Sequence, residues 1–115
     1  MVDYVELLVG EALLGDLTNT YLYIGEDLEA QQIAQGAFVR RVREEQQVSS
    51  VTSSVGRVVV NETQRFLFAH KTRYHCISKG TSFNRIFVDV SDPIIREDVM
   101  CSLMPNLISK HGDFV

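Results

Sequence analysis

Cysteine and proline are both scarce, with two of each in 115 residues. Cys76 and Cys101 cannot build a disulfide framework or a four-ligand zinc site. Both sit among apolar neighbours in the sequence, which predicts buried, reduced thiols. No apolar run reaches the ~20 residues of a membrane-spanning helix, which predicts no membrane partner. Asp3 and Glu6 interrupt the amino-terminal stretch, so it does not read as a secretory leader. His70, His75 and His111 lack metal-ligand spacing with any cysteine or carboxylate pair. Nor is there an excess of basic charge: the formal net charge is −4, so whole-molecule attraction to nucleic acid is not indicated, although a local basic patch stays open.

What is present is an ordinary globular composition, 45% hydrophobic and 23% charged, in a chain long enough for one domain. Asp3 with Glu6 resembles a capping box, and Val5, Leu8, Val9, Ala12 and Leu13 then recur at helical spacing up to Gly15-Asp16. Thr20 to Ile24 reads as a strand. Asp27 can cap a second helix running to about Gln47, with Ile33, Ala34, Ala37, Phe38 and Val42 on its inner stripe. Arg40, Arg41, Arg43, Glu44 and Glu45 form its wet end; the arginines are either a solvated face or a contact for phosphate or DNA. Ser49 to Ser54 reads as a loop. Val58–Val60, Arg65–Phe68 and Tyr74–Ile77 read as three strands, with turns at Asn61-Glu62-Thr63 and His70-Lys71-Thr72. Cys76 beside His75 would then face the opposite side of its strand, so the two are not a nucleophile–base pair.

The most informative stretch runs from Gly80 to Val99. Ile86-Phe87-Val88 is continuously apolar, as in a strand covered on both faces. It ends in Asp89, and Asp92-Pro93 then opens a helix. The apolar face of that helix is Ile95, Val99, Met100, Leu103, Met104, Leu107 and Ile108, with Pro105 set to kink or shorten it. His111-Gly112 stops it, and Phe114-Val115 reads as the start of another strand. Asp89 therefore falls at the carboxyl end of a strand, where open α/β sheets place ligand-binding groups. The plainer alternative is a core strand closed by a capping acid. Ser82 and Asn84, in the turn before the strand, either form that turn or touch a nucleotide or DNA. Helices alternating with apolar strands predict an α/β fold with a mostly parallel sheet.

Gly80, Phe83, Asn84, Phe87, Val88 and Asp89, with Ile94 and Val99 beyond them, resemble the ATPase core of DNA-packaging terminase large subunits, more the herpesvirus form than that of tailed phages. Val5 to Leu14 resembles the helix after that family's phosphate-binding loop. Tyr21–Ile24, Leu28 to Gln47 and the hairpin stretch Arg65 to Ser78 are similar to the elements that follow. The resemblance implies a partial P-loop NTPase-like three-layer sandwich with a hairpin insertion. Residues 1–115 would be one incomplete ATPase-core segment, from the helix after the phosphate-binding loop to the strand before the coupling motif. Asp89 would hold magnesium together with the nucleotide, ATP. Val90 stands where the family has its catalytic Glu, and no Gly-rich loop with Lys-Ser/Thr occurs, so the isolated chain is expected to be inactive and not to bind ATP tightly. The implied partners are the rest of the large subunit, other terminase subunits and the portal or procapsid, with viral double-stranded DNA reached indirectly. The implied place is the host nucleus for a herpesvirus-like protein, or the host cytoplasm for a phage one. The alternative is a non-catalytic α/β binding or assembly module. A separate nine-residue stretch, Leu8 to Asp16, resembles the opening of formaldehyde-activating enzymes, but Thr20 and Tyr21 stand where that family's histidine is expected.

Overall fold

The strand residues of this chain sort by alternation into two different surfaces. Tyr21, Tyr23, Phe66, Phe68 and Phe87 gather with Val58 and Val60 in one buried cluster, while Leu22, Ile24, Ala69, Ile86 and Val88 gather in another. Successive strand side chains point to opposite faces, so one face of a single sheet is largely aromatic and the other aliphatic. A computed structural model, describing residues 2–14, 18–108 and 113–115, shows that sheet with helices on both sides.

The elements follow in the order α1 (Tyr4–Leu14), β1 (Thr20–Gly25), α2 (Leu28–Arg43), β2 (Val51–Ser54), β3 (Arg57–Val60), β4 (Gln64–His70), α3 (His75–Ser78), β5 (Arg85–Val88), α4 (Pro93–Leu103) and β6 (Asp113–Phe114). A 3-10 turn, Met104–Asn106, follows α4. The strands lie in the order β2-β3-β4-β1-β5-β6. β4, β1, β5 and β6 are mutually parallel, whereas β2, β3 and β4 form an antiparallel meander. The chain is thus α/β with a mixed, mostly parallel sheet.

The aromatic face packs under α1 and α2. Tyr21 stacks on Phe66 at 4.8 Å, and Phe38 of α2 lies 4.6 Å from Phe66 and 5.8 Å from Phe68. Burying each such ring contributes roughly 2–3 kcal/mol before entropy is counted. The aliphatic face packs under α4 and the turn around α3, through Val99, Leu103 and Tyr74. β5 lies between β1 and β6, parallel to both, and is covered on both faces, as its unbroken apolar run predicts.

Several local expectations are corrected. Tyr74 to Ile77 is not a strand. The flank of β4 that a hairpin partner would take is already held by β3. The chain instead turns at Lys71–Arg73, buries Tyr74 in the aliphatic cluster and makes the short α3. Val51–Ser54, within the expected loop, pairs as the edge strand β2; its exposed polar residues hide the alternation. α2 ends at Arg43, short of Gln47. Ile33 is 63% exposed, and Gln31 is buried in the stripe instead, its amide donating to the carbonyl of Phe68 at 2.9 Å. Cys76 and Cys101 are both exposed, because their helices turn Ser78, Val99 and Leu103 inward. His75 and Cys76 lie on a helix, so the argument from opposite strand faces does not hold; the His75 ring packs on Tyr74 at 4.2 Å. Met104 is exposed because the helix tightens at Pro105. The stops at Gly15-Asp16 and His111-Gly112 lie outside the described residues.

Candidate functional site

Three parallel strands, β4, β1 and β5, deliver their carboxyl ends to one edge of the sheet. Their ladder continues past the strands, with the amide of Lys71 donating to Gly25 at 3.0 Å and that of Asp89 to Ile24 at 2.9 Å. This holds Glu26, Lys71, Asp89 and Ser91 in register at the rim. Gly25 is needed at the bend into α2: a Cβ there would lie 3.2 Å from both the Gln31 nitrogen and the Tyr23 ring.

Asp89 sits at this edge, half-buried, at the position read from the sequence. The Tyr23 hydroxyl donates to its Oδ2 at 2.7 Å. Burial, then this hydrogen bond, then the charges of Asp89 and Glu26 push the Tyr23 phenol well above its ordinary range, so it remains a neutral donor. Two residues on, the Ser91 hydroxyl donates to Glu26 Oε1 at 2.6 Å, and the Ser91 amide donates to the same oxygen. Lys71 Nζ meets Glu26 Oε2 at 2.8 Å. Those hydrogen bonds, Lys71 first, hold the Glu26 carboxyl down at about 2. The lysine is raised in turn, chiefly by the same bond.

α1 completes the site. Tyr4, in its first turn, sets its ring edge against Tyr23 and Phe87 and donates its hydroxyl to the Val88 carbonyl at 3.0 Å. Glu11, in the last turn, pairs with Arg85 at the other end of β5 at 2.8 Å. The helix therefore runs antiparallel to the strands, with its amino end at the carboxyl edge. Asp3, which caps that end through the Glu6 amide at 3.1 Å, lines a cleft of about 500 Å³ together with Asp89, Tyr4, Tyr23, Ile33 and Ala34.

The other candidate residues are not brought together there. Val90 is buried in the aliphatic cluster, so its side chain points away from the cleft. Asn84 lies at the opposite edge, its Oδ1 accepting from the Thr20 amide at 2.9 Å, and Ser82 precedes it. The Asn84 side chain thus ties the start of β5 to that of β1, and the length of β5 separates both residues from Asp89. Arg41 pairs with Glu6 at 2.8 Å, while Arg40 and Arg43 are exposed.

Magnesium takes hard oxygen ligands, and the Asp89 carboxylate is one. The nucleotide fits less well. Among the described residues no lysine or arginine lines the cleft, whose walls are Val2, Val5, Ala30, Ile33 and Ala34 with two acids and two tyrosines. Among the described residues no group of three or more His, Cys, Asp or Glu converges as a metal site. The phosphates of a nucleotide would need donors from elsewhere.

Sequence reasoning missed Tyr23, Glu26, Lys71 and Ser91. The available signal was positional: each lies near or just past the carboxyl end of β1, β4 or β5. Reading it required knowing that β4 as well as β5 pairs with β1. Among the described residues no helix is long and apolar enough to cross a membrane. Comparison of the chain with protein-family models, with curated proteins and with solved structures finds no match in any of the three.

Proposed function

We propose that the chain is a segment of a terminase-type DNA-packaging ATPase, with a P-loop NTPase-like sheet whose phosphate-binding loop lies outside these residues. One observation carries the reading: the amino end of α1 and the carboxylate of Asp89 share one cleft at the carboxyl edge. A helix amino terminus favours phosphate through its dipole and its free first-turn amides, although here Asp3 already takes that of Glu6. An acid at the end of the neighbouring strand suits the metal that accompanies a nucleotide. A loop leading into α1 would bring phosphate within reach of both.

In this reading Asp89 contacts magnesium directly or through water, and the Tyr23 hydroxyl orients the carboxylate. The donors that cradle the β- and γ-phosphates, and the carboxylate that polarises the attacking water, come from other residues of the motor. Its partners are the rest of the large subunit, other terminase subunits and the portal or procapsid, with DNA reached through them. The buried side chain of Val90 favours a second reading, a non-hydrolysing assembly module, because the residue after Asp89 projects into apolar core rather than toward the cleft.

The experiment is nuclear magnetic resonance with Mn2+ and ATP on the purified chain. The expected result is selective broadening of the Tyr4, Val90 and Ser91 amides, lost in Asp89→Asn, with no steady ATP hydrolysis. Broadening that spares the cleft would remove Asp89 from the metal's path. Hydrolysis that disappears in Asp89→Ala would overturn the claim that essential parts lie elsewhere.

A further inference from the structure

Among the described residues two helices cover the aromatic face, and at one border the cover thins to the Gln35 side chain of α2, whose amide donates to Ser53 Oγ at 3.2 Å and to the Ser54 carbonyl at 2.7 Å. Six strands at ~4.8 Å spacing span roughly 24 Å, and two helices each ~10 Å across cover most of that width. That thinly covered border is β2, where Thr52, Ser53 and Ser54 are exposed. Between α2 and the β2–β3 turn runs a groove of about 860 Å³. Leu28, Ile33, Ala37 and Val55 form its apolar wall, and Val55 is fully exposed. Gly36 leaves open space in that wall, so another element can approach closely. Arg40 and Arg43 line one end. Neither has an ion-pair partner among the described residues, and no acid is among the residues that line the groove.

The other face of the molecule carries the complement. α4 buries Val99 and Leu103 and exposes Ile94, Glu97, Asp98 and Cys101. Positions three, four and seven apart share one helix face, so these residues form a single stripe. Ile94, 73% exposed, stands at one end of it, and Met104 lies beyond the other. Apolar residues thus flank two adjacent acids, neither of them in an ion pair among the described residues.

We propose that the α4 stripe of one copy of this chain docks in the α2 groove of the next. Ile94 and Met104 meet the apolar wall, and Glu97 and Asp98 meet Arg40 and Arg43. The apolar contacts supply affinity, and the charges set register and encounter rate. Because groove and stripe lie on opposite faces of the sheet, the contact is head-to-tail. It builds a ring or a filament rather than a two-fold dimer. Neither surface includes Asp89, and although Ile33 borders both the groove and the Asp89 cleft, none of the four charged positions tested lines that cleft, so the inference stands or falls apart from the packaging reading.

The test is sedimentation velocity on the whole chain over a range of concentrations. The expected result is a mass that grows past the dimer with concentration and an association about tenfold weaker at high salt. Arg40→Glu with Arg43→Glu should give a monomer, and so should Glu97→Arg with Asp98→Arg. All four positions are exposed, and circular dichroism checks that each variant keeps its fold. Mixing the two variants should restore assembly, since each then offers the other a matched surface. A monomer at every concentration overturns the proposal. So does a mixture that stays monomeric. A dimer abolished by the arginine changes alone would mean two-fold pairing through α2, and would overturn it as well.

Discussion

Both ends of the sheet are tied by ion pairs, and the two knots are built the opposite way round. At the amino end a cation stands in the middle: Arg85 of β5 holds Glu11 of α1 at 2.8 Å and Asp113 of β6 at 2.6 Å. At the carboxyl end an acid stands in the middle: Glu26 after β1 takes Lys71 after β4 and Ser91 after β5. In the amino knot both acids share one cation, whereas the Glu26–Lys71 pair is matched one to one. Beside that pair Asp89 has the Tyr23 hydroxyl and no cation among the described residues, and Asp3 opens onto the same cleft. A carboxylate without a cation partner thus sits where the strands of an open sheet end and ligands bind.

The largest expected effect comes from forcing more charge into the carboxyl end. Val90→Glu restores the acid that the terminase resemblance calls for. Yet position 90 is 5% exposed and packed among Leu22, Ile24 and Val88's neighbours in the aliphatic cluster. An unpaired carboxylate there is expected to cost about 3–5 kcal/mol, read as a large fall in the urea midpoint, with no gain of hydrolysis. A variant as stable as the parent would show that the side chain can swing to the cleft. The claim that position 90 belongs to the core would then be lost.

Arg85→Met tests the amino knot. It keeps the apolar stem and removes the head that two acids share. The pair is partly exposed, so the expected loss is about 1 kcal/mol rather than the value of a buried bridge. The change should be local. Val88 donates to the Val115 carbonyl at 3.0 Å, and Val115 donates to Ile86 at 2.9 Å. Both amides should exchange about fivefold faster, while those of β1 hold. Equal acceleration across the sheet would mean that Arg85 does not pin β6 in particular.

The two ends were unequally legible in the sequence. The β5 strand, the Asp89 rim position, the Asp92-Pro93 helix entry and the start of β6 could all be read, because apolar runs and caps are local signals. So could the β3–β4 turn, where Asn61 and Glu62 adopt left-handed backbone and the Asn61 side chain accepts from the Ser49 amide at 2.7 Å. What stayed hidden depends on neighbours in space. β2 is a polar edge strand whose pairing partner, not its own pattern, makes it a strand. α3 is helical because β3 already occupies the flank of β4. The Glu26–Lys71–Ser91 knot joins residues 20 to 65 positions apart, and no spacing rule reaches that far. Part of the cleft was legible through Asp89, and the partner that orients it, Tyr23, was not.

The smallest effect belongs to the carboxyl knot and appears only in acid. The Glu26 carboxyl is held at about 2, below its ordinary value of 4.5. A depressed carboxyl stabilises the fold fully above the ordinary value, and that contribution is lost as pH falls from about 4.5 toward 2. Because Glu26 is about a third exposed, solvent screening keeps the contribution under ~1 kcal/mol. Glu26→Gln should therefore lower stability slightly at neutral pH and flatten its decline across that window. Arg85→Met should leave the Glu26 part of that decline in place, because its acids lie at the other end of the sheet. If Glu26→Gln declines as steeply as the parent, the acid-centred knot is not coupled to folding. The carboxyl edge would then owe its order to the strand ladder alone, and the contrast between the two ends would reduce to the charge left on Asp89.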